Sequence, residues 1–382
     1  MLACARTRVD RDTRARISQL AGNVDAARFL KCASAHQVLP LVAASLLECD
    51  VDLPWFQAGN PRHLLRESAL SGMAAAGELV AVARLLSEHA IPAIAYKGPV
   101  LCAVAYGGAF IRQFADLDIW VDPYDYHLSV PHLLHRAGWR ATDDFGFERT
   151  YVHAESGTVL DVHRSLTHPH RTPFGFDFAV AHGRSMVVDL GAGPVETLSV
   201  PDLLVVLCVQ LVKDAGEGAL PLIKVCDIAE LVGSAPDLEW SLIISRARSL
   251  GVLRILCLGL ALANRLLDLP VPRELEPSTR HTPSFDSLVR HLEQRILGEE
   301  DQPYSRPELL KYGAWNTATR ERYRDRNALM IALRVALAPS AGDYESLRLP
   351  RALAPFYGVV RPARVLTSYA SKVVGRWRGA GA

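Results

Sequence analysis

The chain contains the stretch AYKGPVLCAVAYGGAFIRQFADLDIWVD at residues 95–122, and this stretch decides the fold. It begins inside an apolar run, residues 91–96, of the kind that forms a buried strand. Lys97 and Gly98 end that run, and Pro99 is suited to the first position of a helix. Glycine lets a ligand approach the backbone, and the free N–H groups at a helix start favour an anion. The stretch therefore predicts a strand, a Lys-Gly turn and a helix that together accept a group such as a phosphate.

Two aspartates follow in an alternating segment, residues 116–121. Because residues two apart on a strand point to the same face, Asp116 and Asp118 are expected to face together. A later apolar run, residues 159–163, carries Asp161 on another strand. Carboxylates held close together repel one another, and a divalent cation with a preference for hard oxygen ligands relieves that cost. The three aspartates therefore predict a site for Mg²⁺ or Mn²⁺.

A Lys-Gly turn before a short helix, an Asp-x-Asp strand and a later single Asp on a strand resemble the polymerase-β nucleotidyltransferase superfamily. More narrowly, Lys97, Gly98, DLDIWV at residues 116–121 and LDVH at residues 160–163 resemble the bacterial uncharacterised nucleotidyltransferase family. That family has Lys-Gly where most of the superfamily has Gly-Ser. The resemblance extends over roughly residues 15–375. It implies an α+β fold with a small mixed sheet of polymerase-β nucleotidyltransferase type.

The hydrophobic pattern divides the chain into three predicted domains. Residues 1–89 have helical spacing, with one long helix over residues 62–89, and are interpreted as a helical layer that covers the catalytic sheet. Residues 90–198 are the predicted catalytic α/β core, and residues 199–382 are a predicted C-terminal helical domain. Within the core, the patterns predict a helix at residues 124–137 and hairpins at residues 149–164 and around residues 191–193.

Composition describes an ordinary globular chain. It has 382 residues with 42 basic and 41 acidic side chains, so its net charge of +1 gives no support for binding nucleic acid through bulk charge. The seven cysteines form no C-x-x-C pair, which favours reduced thiols and a cytoplasmic location. No signal peptide is recognisable, and the longest apolar runs, such as residues 203–212, are too short to span a bilayer.

The resemblance assigns the catalytic chemistry to the three aspartates. Asp116, Asp118 and Asp161 are the predicted catalytic residues and metal ligands, because two metal ions can clamp an in-line displacement at phosphorus. One ion lowers the pKa of the acceptor hydroxyl, and the other holds the triphosphate. Asp161 is the expected general base for that hydroxyl. The alternative is an acidic strand end whose carboxylates are merely solvated.

Further residues are predicted to bind the nucleotide. Lys97 and Gly98 are expected to hold the triphosphate. Arg112 either neutralises a β or γ phosphate or forms a salt bridge with Asp116. His163 shares a strand face with Asp161 and either positions the acceptor or the metal water, or has a purely structural role.

In the helical half, the resemblance implies basic and acidic groups that face the nucleotide. Lys213, Lys224 and Asp227 are the candidates. Lys224 and Asp227 are three residues apart and share a helix face, so an ordinary intrahelical ion pair is the alternative. Two more helices are predicted at residues 319–337 and 363–377. The last is basic and amphipathic; it either packs on its own domain or touches an anionic membrane or RNA.

These features predict a metal-dependent nucleotidyltransferase. It would move a nucleoside monophosphate from an NTP to a hydroxyl or phosphate acceptor, with release of pyrophosphate. The expected acceptor is a small molecule, such as an antibiotic, or a peptide natural product. Three alternatives remain: transfer of a sugar from a nucleotide sugar on the same scaffold, toxin-like modification of tRNA, and a catalytically silent nucleotide-binding protein. The retention of all three aspartates argues against the last.

Overall fold

The computed structural model describes most of the chain. It covers residues 1–298 except 23, 52, 168–174, 218–219 and 276–282, together with residues 343–344, 347, 349–357 and 360. The helices predicted at residues 319–337 and 363–377 lie outside the described residues. The predicted α+β fold with a mixed sheet is confirmed, with seven strands in that sheet.

In the sequence, helices precede the sheet strands, lie between them and follow them. The first five are α1 (Arg11–Ala21), α2 (Ala26–Ala35), α3 (Leu39–Cys49), α4 (Pro54–Ala58) and α5 (Pro61–Glu88). Within the sheet region follow α6 (Pro99–Val104), α7 (Pro123–Leu128), α8 (Val130–Arg136) and α9 (Phe178–His182). The helical half contributes α10 (Val200–Glu217), α11 (Ile223–Ser234), α12 (Trp240–Leu250), α13 (Leu253–Leu267) and α14 (Pro283–Leu297). Short 3₁₀ turns occur at Leu2–Cys4, Arg273–Leu275 and Arg351–Phe356.

The strands form one sheet in the order β3-β4-β5-β2-β1-β7-β6. They are β1 (Ala93–Ala95), β2 (Leu117–Val121), β3 (Trp139–Asp144), β4 (Glu148–His153), β5 (Val159–His163), β6 (Met186–Asp189) and β7 (Pro194–Thr197). The pairs β2–β5 and β1–β7 are parallel, and the other neighbours are antiparallel. Strand β2, which contains Asp118 and directly follows Asp116, therefore lies in the middle of the sheet.

Each face of the sheet belongs to a different hydrophobic core. Leu117 and Ile119 on β2 pack in one core with buried residues of α5 and α8. Trp120 and its neighbour Tyr96 belong to the other core, with residues of α10, α11 and α13. Because side chains alternate along a strand, the face that bears Asp118 is the one covered by the helical half.

The first 89 residues are divided between these two cores. Helix α5 packs against one face of the sheet. The earlier helices pack instead with the C-terminal helices, with Ile17, Ala33 and Leu41 in that second core. The Thr7 backbone N–H donates to Glu230 of α11 over 2.8 Å, which ties the N-terminus to the helical half. The domain boundaries at residues 89 and 198 stay predictions.

Two local predictions were incomplete. The helix predicted at residues 124–137 is divided at Ser129 into α7 and α8. Pro131 explains the break, because it lacks the N–H that a continuous helix would need at that position. Strand β3 was not predicted. It lies at the sheet edge with only Trp139 buried, so its residues lack the apolar alternation typical of a half-buried strand.

Helix α5 is, within the described part of the chain, the one helix long and apolar enough to cross a membrane. The prediction concerned uninterrupted apolar runs, whereas α5 also contains charged residues such as Arg66 and Glu78. A core helix of a soluble protein passes the same test of length and composition. Leu79, Val82 and Leu86 of this helix are buried in the core beneath the sheet. Helix α5 is therefore only weak evidence of a membrane span.

Candidate active site

The predicted carboxylates meet at neighbouring strands in the middle of the sheet. Asp118 on β2 and Asp161 on β5 are direct partners in the parallel pairing. Residues paired in this way point to the same face of the sheet. Asp116 directly precedes β2 and is close enough for the charge of Asp118 to perturb it. The sheet therefore brings the three aspartates together, although they come from two separate segments.

Asp118 is the most deeply buried of the three carboxylates, at 2% exposure. Lys97 Nζ donates to its Oδ1 over 2.9 Å, and His163 Nε2 lies 3.0 Å from the same oxygen. Burial alone would raise the pKa of Asp118, but Lys97 and His163 hold it well below its usual value. Among the described residues, Asp118 Oδ2 has no hydrogen-bond partner. One oxygen of Asp118 is thus paired, and the other is a buried acceptor without a partner among the described residues.

The other two carboxylates are destabilised in their ionised form. The charge of Asp118 is the main reason that the pKa of Asp116 is raised, and burial adds to it. Burial is the main reason that the pKa of Asp161 is raised; the hydrogen bond from Thr150 opposes this shift, and the charge of Asp118 adds to it. A cation bound between these groups would remove the repulsion.

Sequence reasoning missed two residues that support the site. Thr150 on β4 donates its hydroxyl to Asp161 Oδ1 over 2.6 Å, and Glu148 Oε2 lies 3.3 Å from His163 Nδ1. Each faces its partner directly across the β4–β5 pairing. The signal was present, because the hairpin was predicted and its register alone aligns these pairs.

Gly98 forms the turn that joins β1 to α6 and supports the confirmed start of that helix at Pro99. Its backbone has φ +53° and ψ −126°, a conformation that residues with a Cβ rarely adopt. A Cβ at this position would lie 3.2 Å from the backbone oxygen of Asp116. The glycine thus lets the Lys97 turn lie directly against the segment that carries Asp116.

Substitution of Gly98 by alanine is expected to lower the free energy of unfolding by about 1–3 kcal/mol, because the strained backbone is retained. Urea denaturation measures the change. Gly77→Ala on α5 is the control: a Cβ there meets nothing within 4 Å, and alanine in a helix adds up to about 1 kcal/mol. Equal stability of the G98A protein and the unmutated protein would contradict the account of this turn.

The helical half contributes charges to the site through α10 and α11. Lys224 Nζ lies 2.9 Å from Asp214 Oδ2, and Lys213 Nζ lies 3.7 Å from Asp214 Oδ1. The charge of Asp214 helps to raise the pKa of Lys97, although burial acts in the opposite direction. The charge of Asp118 raises the pKa of Asp116, and the charge of Lys224 partly offsets that rise. Asp214 and Lys224 therefore lie within electrostatic reach of Lys97 and Asp116, respectively.

Arg112 and Asp227 form an ion pair with each other. The Arg112 guanidinium donates twice to the Asp227 carboxylate, over 2.6 and 2.8 Å, and Tyr106 Oη donates to Asp227 Oδ1 over 2.8 Å. Both charged groups are almost fully buried. The two suggested ion pairs, Arg112 with Asp116 and Lys224 with Asp227, are therefore wrong. Roles in nucleotide binding for Arg112 and Asp227 stay predictions, and the geometry offers them a structural role.

The carboxylates fit a divalent cation that takes further ligands from a bound molecule. Within the described residues, no group of three His, Cys, Asp or Glu side chains is assembled to hold an ion alone. Mg²⁺ seldom needs such a cage, because it keeps waters and is held by one or two carboxylates plus substrate phosphates. The unpaired Asp118 Oδ2, beside the repelled carboxylates of Asp116 and Asp161, provides that partial set.

Comparison with known proteins identifies the family of the chain. A family model described as uncharacterised nucleotidyltransferase matches residues 22–268, a range that includes every candidate residue. No curated protein matches the chain, and no solved structure matches it. The family match extends over more than half of the 382 residues. The chain therefore belongs to the uncharacterised nucleotidyltransferase family.

Proposed function

We propose that this protein is a metal-dependent nucleotidyltransferase that moves a nucleoside monophosphate from an NTP to the hydroxyl of a small acceptor. One observation carries this function: Asp118 and Asp161 are register partners on adjacent parallel strands, and Asp116 lies beside them. Three carboxylates on one face suit displacement at phosphorus, in which charge must be neutralised on both sides of the transferred group. The family match supports the general reaction.

Asp116, Asp118 and Asp161 would hold Mg²⁺ or Mn²⁺. When bound, the cation neutralises phosphate charge and lowers the pKa of the acceptor hydroxyl. The chain itself keeps Asp118 ionised through Lys97 and His163. These two partners also fix one oxygen of that carboxylate, and its other oxygen, buried and without a partner among the described residues, would bind the cation.

Three lysines would receive the triphosphate. Lys97 follows β1 and forms an ion pair with Asp118, and Lys224 lies on α11, where it forms an ion pair with Asp214. Lys213 lies in the same group of charges, through Asp214. Lysine binds phosphate as a point charge, so each of these side chains would pair with a phosphate oxygen of the bound donor.

Asp161 is the proposed general base. Burial raises its pKa, which brings the group closer to the range in which it accepts a proton near neutral pH. In the reaction, the acceptor oxygen forms a bond to the α-phosphorus, the bond to pyrophosphate breaks, and Asp161 takes the hydroxyl proton. Thr150 fixes the orientation of the carboxylate by donating to its Oδ1.

A cytoplasmic location is part of the same proposal. All seven cysteines are free thiols, and six of them are buried. Reduced cysteines of this kind are typical of a reducing compartment. An NTP is available there as the donor.

Incubation of the protein with Mg²⁺, each common NTP and a panel of hydroxyl compounds tests this function. The expected result is release of pyrophosphate together with an acceptor that gains the mass of one nucleoside monophosphate. A gain of one hexose from a nucleotide sugar would overturn the proposal in favour of sugar transfer. Labelling of tRNA would overturn the choice of a small acceptor.

The metal site has a second test that does not depend on turnover. Mg²⁺ at about a hundred times its Kd is expected to raise the free energy of unfolding by about 2.7 kcal/mol. Asp116→Asn is expected to remove that gain but to raise stability without metal, because it removes the repulsion by Asp118 that raises the pKa of Asp116. Thermal unfolding with and without Mg²⁺ measures both effects, and an equal Mg²⁺ response in the two proteins would contradict this site.

A further inference from the structure

Asp214, near the end of α10, lies between two lysines of the helical half. Its Oδ2 is 2.9 Å from Lys224 Nζ on α11, and its Oδ1 is 3.7 Å from Lys213 Nζ. The three side chains are partly buried, with exposures between 14% and 22%. Each oxygen of this carboxylate therefore faces a different ammonium group, one on α10 and one on α11.

This group of charges lies on the side of the sheet that bears Asp118. Helices α10 and α11 belong to the core that covers that face. Lys97 connects the two, because its Nζ donates to Asp118 Oδ1 over 2.9 Å and also responds to the charge of Asp214. Burial would lower the pKa of Lys97, but the charge of Asp118 and then that of Asp214 raise it. Asp214 therefore acts electrostatically on a lysine that directly contacts the reaction centre.

The three lysines would bind the donor and the leaving product in the same way. Under the proposed function, Lys97, Lys213 and Lys224 pair with phosphate oxygens of the NTP, and pyrophosphate carries oxygens of the same kind. Contacts that bind equally well before and after the reaction do not accelerate the chemical step, and slow product release limits the rate of many enzymes. A fixed carboxylate among the lysines weakens the binding of any polyphosphate, because like charges repel. A cation bound to the polyphosphate reduces that repulsion.

A supporting role for Asp214 would have the opposite consequence. If the carboxylate held the lysines in place, its loss would let them spread apart and would weaken phosphate binding. Two distances argue against that role. Lys97 is held by its hydrogen bond to Asp118, and Lys213 Nζ, at 3.7 Å, is too far from Asp214 for a hydrogen bond. Two of the three lysines therefore do not depend on Asp214 for their position, whereas all three are affected by its charge.

We propose that Asp214 sets the phosphate selectivity of the site: it opposes polyphosphates, most strongly those without a metal ion, and so promotes the release of pyrophosphate. This inference rests on the proposed nucleotidyl transfer, which supplies the pyrophosphate, although the binding of a polyphosphate is measured without turnover. Asp214 forms no bond to the substrate and takes no proton in the reaction. It acts through its charge on the lysines that contact the phosphates.

Inorganic tripolyphosphate is the probe, titrated by calorimetry into the full chain without nucleotide or metal. Asp214→Asn is expected to bind it about tenfold more tightly than the unmutated protein, and Lys224→Gln about tenfold more weakly. Asp214→Ser should match D214N, so that the result does not depend on how asparagine packs. Asp237→Asn is the matched control, because it removes the same charge at an exposed position beyond the opposite end of α11 from Lys224. Its affinity should be unchanged.

Turnover gives a second readout. With pyrophosphate added as a product inhibitor, its inhibition constant should fall about tenfold in D214N, and kcat and the KM for NTP should fall together, because release becomes slower. Weaker or unchanged tripolyphosphate binding in D214N and D214S, an equal gain in D237N, or an unchanged affinity in K224Q would overturn the proposal.

The two measurements separate this inference from the proposed function. If D214N binds tripolyphosphate more tightly but none of the proteins consumes NTP, the role of Asp214 in polyphosphate binding stands and the proposed function fails. If nucleotidyl transfer occurs and D214N leaves both the tripolyphosphate affinity and the inhibition by pyrophosphate unchanged, the function stands and the role of Asp214 fails.

Discussion

Asp118→Asn is expected to slow nucleotidyl transfer about a thousandfold, equivalent to about 4 kcal/mol of transition-state stabilisation. The substitution keeps the shape of the side chain but removes the charge that would hold the cation. Asparagine also cannot serve as the anionic partner of Lys97 and His163, which both contact Asp118 Oδ1. Steady-state rates of pyrophosphate release, measured at saturating NTP, give the effect on kcat.

Asp189→Asn is the matched control, because this exposed carboxylate lies on edge strand β6, three strands from β2 and its site carboxylates. Its rate should be unchanged. A folded D118N protein with normal turnover would show that the carboxylates of this sheet do not perform the chemistry. Circular dichroism and thermal unfolding of each variant establish that the proteins compared are folded.

Arg112→Met is expected to lower the free energy of unfolding by about 3–5 kcal/mol, because it leaves a charged Asp227 buried without its cation. Urea denaturation measures the loss. Arg265→Met provides the control, since Arg265 pairs with Glu293 at the surface, where side-chain exposures are 43% and 21%. An exposed pair of this kind contributes about 1 kcal/mol or less.

The two interpretations of Arg112 give opposite results in this experiment. If Arg112 binds phosphate, its replacement by methionine would raise the KM for NTP and leave the free energy of unfolding nearly unchanged. The buried pair instead predicts a large loss of stability. The triple variant Tyr106→Phe, Arg112→Met, Asp227→Leu should recover most of it, because no buried polar group then lacks a partner. Failure of the triple variant to recover stability would count against a structural ion pair.

The Arg112–Asp227 pair also has a consequence for the site. Arg112 lies four residues before Asp116, and Asp227 lies one helical turn after Lys224. The pair therefore joins the segment that carries a proposed metal ligand to the helix that carries a proposed phosphate ligand. The sequence predicted that Arg112 and Asp227 bind the nucleotide, because charged residues close to a catalytic motif are typical ligands.

Local patterns in the sequence were sufficient for much of the fold. The turn at Gly98, the start of α6 at Pro99 and the strand with Asp118 were all predicted and are present. Each depends on backbone rules that act over a few residues: the freedom of glycine, the fixed φ of proline and the two-residue period of a strand. For the same reason, Asp116 and Asp118 were recognised as a pair without knowledge of any neighbouring strand.

Partnerships between distant residues were decided only by the tertiary structure. Asp161 is placed beside Asp118 by the pairing of β2 with β5, and Arg112 meets Asp227 over a separation of 115 residues. Spacing along the chain carries no information about such contacts, because they result from which hydrophobic faces pack together and in which register. The sequence by itself determined which residues have the chemistry to bind a metal and a phosphate. The packing of the sheet against α5 and the helical half decided which of them lie close together and which neutralise each other.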